Sequence, residues 1–440
     1  MKRPVVNIYE DRLCSCILTA EQRQELMSLE PLWGSQNFLL RADDRLLLQR
    51  YVGFVSTPNL RLQILPKLFR DQAHENEEGT SVAMLFRLLH YSGFLAVREL
   101  PSSQLMASFQ HDMLELFIHL FLVRFLGVFE RHVHRHYEDK TDNVQFVKGK
   151  ILFQQSLERN YGLRHLHMVA YQEFTEDTLL NQVLKSVMIL IGKKTSHADN
   201  KKKLAQALTY LEDVRIIRLS SQAFDAVRFN RMNEAYRPVL NMARMFYTNA
   251  QPGMRAGDDQ VFSFLVPLNR LFEQFVNKLL NRALANIYKV QYQEQAYLDR
   301  QSKRFVVKPD FVLRGINGKN NAIHEAASIV ADAKYKNPIT PSGELKPTES
   351  DLYQMMAYAL KFQVSTLLLI YPKFVSEPNV KAQTATYRID AGERDVSLHL
   401  LQLDLLESKM EELERRLREQ ILGLELNMEM NEIRTVVSDS

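Results

Sequence analysis

The segment Ser328-Ile-Val-Ala-Asp332-Ala-Lys334-Tyr335 constrains this chain more than any other, because it sets two charged side chains into a run that otherwise reads as a strand. Side chains alternate across a strand, so Ile329 and Ala331 share one face while Val330, Asp332 and Lys334 share the other. A carboxylate and an ammonium on one side of one strand can both reach a phosphate. A second β-rich stretch, Arg304-Phe-Val-Val-Lys-Pro309-Asp310-Phe-Val-Leu-Arg314, reads as a strand around a proline-containing turn or bulge. Gly315–Lys319 then supplies a turn. Asp310 on the neighbouring strand can share a divalent cation with Asp332, and the Ala333 carbonyl can join them. Such hard oxygen ligands suit Mg²⁺, with Mn²⁺ as the alternative. The ion's charge lowers the pKa of bound water and stabilises phosphoryl oxygens. Lys334 can position the attacking water and offset developing negative charge; this reading does not make it a general base.

The flanking sequence supplies a frame for these residues. Val261–Arg282 has the apolar spacing of a helix, with Phe262, Leu265, Leu268, Leu271, Phe272 and Phe275, and it carries Glu273. Taken alone, Glu273 reads as one more water-facing helical glutamate. After the strands, Asp351-Leu-Tyr-Gln354-Met-Met-Ala-Tyr358 predicts a second helix, and Gln354 and Tyr358, four apart, share its face. Tyr358 alone reads as a packed tyrosine. Thr366–Tyr371 is an apolar strand, Ala385–Asp390 and Val396–Leu403 are strand-like candidates for sheet edges, and Leu405–Leu424 is a charged amphipathic helix that reads as a packed C-terminal cap before a partner contact. The fold class expected is α/β in the mixed αβ sense, with a C-terminal core at 255–404 and a helix and tail at 405–440.

The remainder divides less sharply. The 440 residues suggest two or three domains, and 46% apolar content is enough for substantial cores. Residues 1–142 read as a mixed β and helical domain. Arg45–Phe54 and Leu60–Ile64 are strand-like, Asp71–Gly79 is a polar loop, and Ser81–Phe94 and Leu105–Glu130 are helices. Arg131, His132, His134, Arg135 and His136 read as a solvated helix end before a nucleic-acid surface or a metal site. Asp139–Asn143 reads as a boundary, followed by strand-like and polar segments over Val144–Leu157. Residues 143–254 read as a mainly helical region, with a helix over Glu176–Ile191 and further helices over Leu204–Met245. The five lysines within Lys193–Lys203 read as a wet linker, and Thr248–Gln260 as a second boundary. A formal charge of +4 permits a nucleic-acid partner without demonstrating one. Cys14 and Cys16 lack a second pair to complete a zinc site and fit a reducing compartment. Met1–Tyr9 lacks a signal-peptide core, and the apolar stretch Met113–Phe129 is broken by Glu115, His119 and Arg124, short of the roughly 20 apolar residues that span a bilayer. The expectation is a soluble cytoplasmic protein with no membrane contact.

Pro309-Asp310, a gap, then Asp332-Ala333-Lys334 resembles the PD-(D/E)xK nuclease pattern. With Glu273 on a helix before it and Gln354 and Tyr358 on a helix after it, the arrangement resembles the RecB-like branch of those nucleases. Further matches are Leu60-Arg-Leu-Gln-Ile-Leu-Pro66-Lys67-Leu, Val147-Lys148-Gly149-Lys150-Ile151 with Phe153, Glu173-Phe-Thr-Glu-Asp-Thr-Leu-Leu-Asn181, Leu271-Phe272-Glu273 and Tyr353-Gln354-Met-Met-Ala-Tyr358. Together these are similar to the McrC family, the nuclease subunits of McrBC-family modification-dependent restriction systems. The resemblance implies a restriction-endonuclease-like core behind a partner-docking region. It implies catalytic roles for Asp310, Asp332, Lys334 and Glu273, support from Gln354 and Tyr358, and Mg²⁺ on Asp310, Asp332 and Ala333. It also implies a partner AAA+ GTPase resembling McrB, which binds the GTP, and cleavage of double-stranded DNA carrying modified cytosine, of the 5-methylcytosine type. The chain has no Gly-x-x-x-x-Gly-Lys-Ser/Thr motif, since Gly315-Ile-Asn-Gly318-Lys319 has the wrong spacing and Asn320 follows it. A motor is therefore expected in another chain. The alternatives are a stand-alone or helicase-associated DNA repair nuclease of the same fold, a catalytically inactive DNA-binding subunit, and a helical scaffold for an oligomeric ring.

Overall fold

The computed structural model describes residues 5–67, 77–94, 102–109, 111–163, 165–256, 259–299, 301–317, 322–323, 328–374, 383–390, 395–407 and 409–438. They fall into two compact units, one built on 96–263 with 56–60, the other on 5–55, 61–95 and 264–440. Of the polar loop expected at Asp71–Gly79, residues 71–76 lie outside the described residues, and the rest begins a helix at Glu77–Tyr91. The turn expected at Gly315–Lys319 is strand as far as Asn317, and residues 318 and 319 lie outside the described residues.

The first unit is a helical core with a small sheet. Helices Met113–Phe129, Leu179–Gly192, Ala198–Tyr210 and Arg237–Asn249 bury Phe117, Phe121, Phe125, Val183, Val187 and Phe246. Asp112 caps the first helix by accepting from Glu115 N, and Thr178 caps the second by accepting from Asn181 N. The helix expected over Leu105–Glu130 is two helices, Ser103–Ser108 and Met113–Phe129, because this cap restarts it. Asp139–Asn143 is not a break in the chain. It lies inside the strand His136–Val144, which pairs antiparallel with His167–Thr175, and Lys150–Ile151 joins on the far side. Long polar side chains on an exposed strand removed the apolar alternation that would have revealed it. Arg135, in the basic stretch before this strand, pairs with Glu176.

The lysine-rich stretch is not a wet linker either. Its polar residues surround Glu115, which is 2% exposed. Thr195 Oγ1 donates to Glu115 Oε2 at 2.6 Å, Ser196 N to Oε1 at 2.6 Å, His197 N to Oε1 at 3.3 Å, and Asn200 Nδ2 to Oε2 at 2.9 Å. A carboxylate from one helix thus takes up two backbone amides of the turn that leads into the helix Ala198–Tyr210, near that helix's positive end. Thr248–Gln260, expected as a boundary, contributes the antiparallel strands Ala250–Ala256 and Asp259–Pro267.

In the second unit, Val5–Tyr9 lies parallel to Arg61–Leu65, next to Tyr51–Ser56. The C-terminal part carries the larger sheet. We label its strands β1 Tyr288–Tyr292, β2 Phe311–Asn317, β3 Ile329–Ala333, β4 Thr366–Pro372, β5 Thr384–Asp390 and β6 Asp395–Leu403. Their order is β1-β2-β3-β4-β6-β5. The pairs β3/β4 and β4/β6 are parallel and the others antiparallel. Helix α1, Leu268–Ala283, and helix α2, Glu349–Phe362, pack against this sheet. Val312, Val330, Leu367, Leu369, Tyr371, Leu398 and Leu400 form one core with Met355, Tyr358 and Ala359 of α2. Removing each large apolar side chain from water contributes roughly 1.5–3 kcal/mol, so the central strands read as nearly continuous apolar runs. Tyr335, just beyond β3, meets Phe272 of α1 edge-on with ring centroids 5.5 Å apart.

The helix expected from Val261 begins only at Leu268. Val261–Val266 is strand, with Val261, Phe262, Ser263, Phe264 and Val266 all buried. A run apolar on both faces carries no period by which to tell strand from helix. Pro267, which lacks an N–H, sits at the start of α1, where none is required. Helix α2 is capped by Thr348, whose side chain accepts from Asp351 N. It stops at Gln363, whose φ of 56° is left-handed. The C-terminal helix runs Met410–Ser438. Among the described residues no helix is long and apolar enough to cross a membrane.

Candidate active site

The register of β2 against β3 pairs Val312 with Val330 and Phe311 with Ala331. Continued by one pair, it sets Asp310 opposite Asp332, on the sheet face of Val312 and Val330. Residues so placed have Cβ atoms about 4.5–5.5 Å apart. The site therefore lies where β2 begins and where the parallel strands β3 and β4 end, the edge at which open αβ sheets form crevices. Asp310 Oδ2 accepts from Ala333 N at 2.8 Å. Asp332 is 1% exposed. Its Oδ2 has Lys334 Nζ 2.6 Å away but no donor aligned for a hydrogen bond.

Lys334 is held from the α2 side. Its Nζ donates to Gln354 Oε1 at 2.9 Å, Gln354 Nε2 donates to Tyr358 OH at 2.7 Å, and Tyr358 OH donates to the Lys308 carbonyl at 3.2 Å. One end of this chain of bonds is the ammonium. The other is the backbone two residues before Asp310. Helical spacing explains it, since Gln354 and Tyr358 stand one above the other on α2.

Burial first, then the charges of Asp332 and Glu273, pushes Asp310 up to about 8. Burial also raises Asp332, against the pull of Lys334. Lys334 would be lowered by burial, but Asp332, Asp310 and Asp351 outweigh that and raise it, so it is an ammonium at neutral pH. Glu273, on α1, acts on both aspartates through its charge, and its Oε1 accepts from Gln293 Nε2 at 2.5 Å. Asp310, Asp332, Ala333, Lys334, Gln354 and Tyr358 are thus brought together, with Glu273 beside them. Among the described residues no group of three or more His, Cys, Asp or Glu side chains is gathered tightly enough to hold a metal.

Sequence reasoning missed three neighbours. Gln293 bonds Glu273 and, through its backbone, Asp310. The Tyr292 hydroxyl, pushed up to about 12 by burial and then by Glu273, sits at the same carboxylate. Asp351, 4% exposed, pairs with Lys336 at 2.5 Å and accepts from Tyr371 OH at 3.2 Å. The period-two pattern Asp332, Lys334, Lys336 could have flagged the last of these. No local signal marks Gln293.

One family, described as McrBC 5-methylcytosine restriction system component, matches residues 46–372. The Type IV methyl-directed restriction enzyme EcoKMcrBC of Escherichia coli (strain K12) is 22% identical over 304 residues, 66% of this chain and 85% of the relative. A solved structure is described as a refined half-complex from the tetradecameric assembly of Thermococcus gammatolerans McrB AAA+ hexamers with bound McrC. A chain of it matches with a TM-score of 0.74 at 20% identity, over 95% of this chain and 100% of that one. A chain of the cryo-EM structure of the Thermococcus gammatolerans McrBC complex matches at 0.51 and 21% identity, over 66% of this chain and 90% of that one. At these identities the structural likeness establishes a shared fold.

Proposed function

This chain belongs to the family described as McrBC 5-methylcytosine restriction system component, and on that premise we propose that it is the McrC-type, Mg²⁺-dependent DNA endonuclease subunit of a modification-dependent restriction system. Its core is read as a PD-(D/E)xK domain, its substrate as double-stranded DNA carrying modified cytosine, and its partner as an AAA+ GTPase resembling McrB. The observation that carries this reading is the placement of Asp310 opposite Asp332 with Lys334 braced by Gln354 and Tyr358. The structural relative whose description names McrB AAA+ hexamers with bound McrC supports the partner.

The residues fit a hard divalent cation. Two carboxylates and the Ala333 carbonyl give an all-oxygen donor set. Asp332 Oδ2, buried with Lys334 Nζ 2.6 Å away, carries a charge that a bound cation would share with that ammonium. When bound, such an ion activates water and neutralises charge on the phosphate. Asp310 and Asp332 would hold it, and Glu273 would hold water or a further ligand position at its edge. Lys334, kept protonated, donates from Nζ to a phosphate oxygen or orients the attacking water. It is poorly suited to accept a proton. Gln354 and Tyr358 restrict where that ammonium can go. The nucleotide chemistry resides in the partner, and this chain stimulates it on docking.

The test combines the purified chain with a candidate AAA+ partner, GTP and Mg²⁺, on modified and unmodified duplexes in parallel. Cutting that requires the partner, GTP and the modified base is the expected result. Equal cutting without partner or GTP favours an independent nuclease. DNA binding without cutting in Mg²⁺ or Mn²⁺ favours an inactive subunit.

A further inference from the structure

The β1/β2 ladder pairs Tyr292 with Phe311 as its last couple at the site edge. Continued by one pair, it sets Gln293 opposite Asp310, and Gln293 N does donate to the Asp310 carbonyl at 2.9 Å. Gln293, Asp310 and Asp332 therefore stand in a row across three neighbouring strand ends. Gln293 is unusual among them in its backbone. Its φ of 52° is left-handed, a conformation that disfavours residues with a Cβ. The left-handed turn interrupts the strand alternation at this point. Its amide reaches Glu273 Oε1 at 2.5 Å.

Resting on the nuclease reading above, we propose that Gln293 is a positioning residue that holds the Glu273 carboxylate in a fixed place relative to Asp310, at the edge of the pair that would carry the divalent cation. One residue makes both connections. Its backbone N–H registers the Asp310 strand end, and its side-chain amide orients a carboxylate delivered by a different element, α1. An amide suits this task because it donates a hydrogen bond without adding charge beside Asp310 and Asp332. A lysine or arginine there would compete with the cation. Partners that orient metal ligands from outside commonly change metal affinity by about 10–100-fold when removed.

Gln293→Gly is the discriminating variant. Glycine accepts the left-handed backbone, so the bond to the Asp310 carbonyl survives and only the amide is lost. The probe is Mn²⁺ alone, titrated into the full-length chain and followed by the electron paramagnetic resonance of the free ion. Wild type, Q293G, Q293M and D332A are compared, with thermal unfolding of each. The expected result is Mn²⁺ affinity reduced about tenfold or more in Q293G and Q293M, loss of the site in D332A, and an unfolding temperature for Q293G close to wild type. Wild-type affinity in Q293G and Q293M, with loss in D332A, overturns the role of Gln293 and leaves the nuclease reading standing. Mn²⁺ behaviour in D332A identical to wild type overturns the reading beneath it, and this inference with it. An affinity loss in Q293G matched by a large drop in unfolding temperature, with normal affinity in Q293M, also counts against positioning.

Discussion

Glu115→Ala tests the structural account where function plays no part. The Glu115 carboxylate accepts from Thr195 Oγ1, Ser196 N, Ser196 Oγ, His197 N and Asn200 Nδ2, at 2.6 to 3.3 Å. Truncation leaves two backbone amides and three side-chain donors without that acceptor. Each buried polar group left unmade costs about 1–3 kcal/mol. The losses are not additive, because a water can enter the space and because burying the carboxylate itself carried a penalty. The expected destabilisation is about 2–4 kcal/mol, a small number of such unmade groups less what water entry and the carboxylate's own burial return. Glu115→Gln keeps one acceptor oxygen and should lose roughly half as much. Urea unfolding is followed by far-UV circular dichroism, since the one tryptophan, Trp33, lies in the other unit. Hydrogen exchange over residues 195–205 reports the local effect. An unfolding midpoint and amide protection equal to wild type in E115A would refute the reasoning.

Two further outcomes follow from the second unit. Gln354→Leu removes the acceptor that braces Lys334 Nζ. Cleavage by the assembled complex should fall about 10²-fold, the scale of a misplaced reacting group, with partner GTP hydrolysis unchanged, and loss of both activities in a folded variant would contradict it. Burial raises Glu10 to about 7 from 4.5. A carboxyl raised on folding adds stability below its unfolded pKa, and that contribution is lost as pH rises through the folded value, here between about 4.5 and 7. Since the side chain keeps some contact with water, the loss is at most about 2 kcal/mol. Glu10→Gln should match wild type at pH near 4 and exceed it at pH near 8 in urea unfolding read by Trp33 fluorescence, and a constant difference across that range would count against it.

The mixed αβ character of the second unit was legible in the sequence wherever burial has a period. The helix carrying Gln354 and Tyr358 announced itself by spacing, and the strand around Asp332, buried on both faces, by its short run of β-branched and small residues. Val261–Val266 misled because both its faces are apolar. His136–Val144 was hidden for the opposite reason, since neither face is strongly apolar and its partner strand lies far along the chain. The lysine-rich segment looked solvated, yet Thr195, Ser196 and Asn200 are drawn in by Glu115, a long-range electrostatic match that no local window contains. Gln293 escaped for the same reason: its importance lies in being opposite Asp310, which is a property of register.

Phosphodiester hydrolysis by D332A in the assembled complex is the most direct measurement. With partner, GTP and Mg²⁺ on duplex DNA bearing modified cytosine, the account predicts that wild type cuts and D332A does not, while both stimulate GTP hydrolysis alike. Undiminished cutting by folded D332A would contradict the assignment of the Asp310 and Asp332 edge as the place where DNA is cleaved.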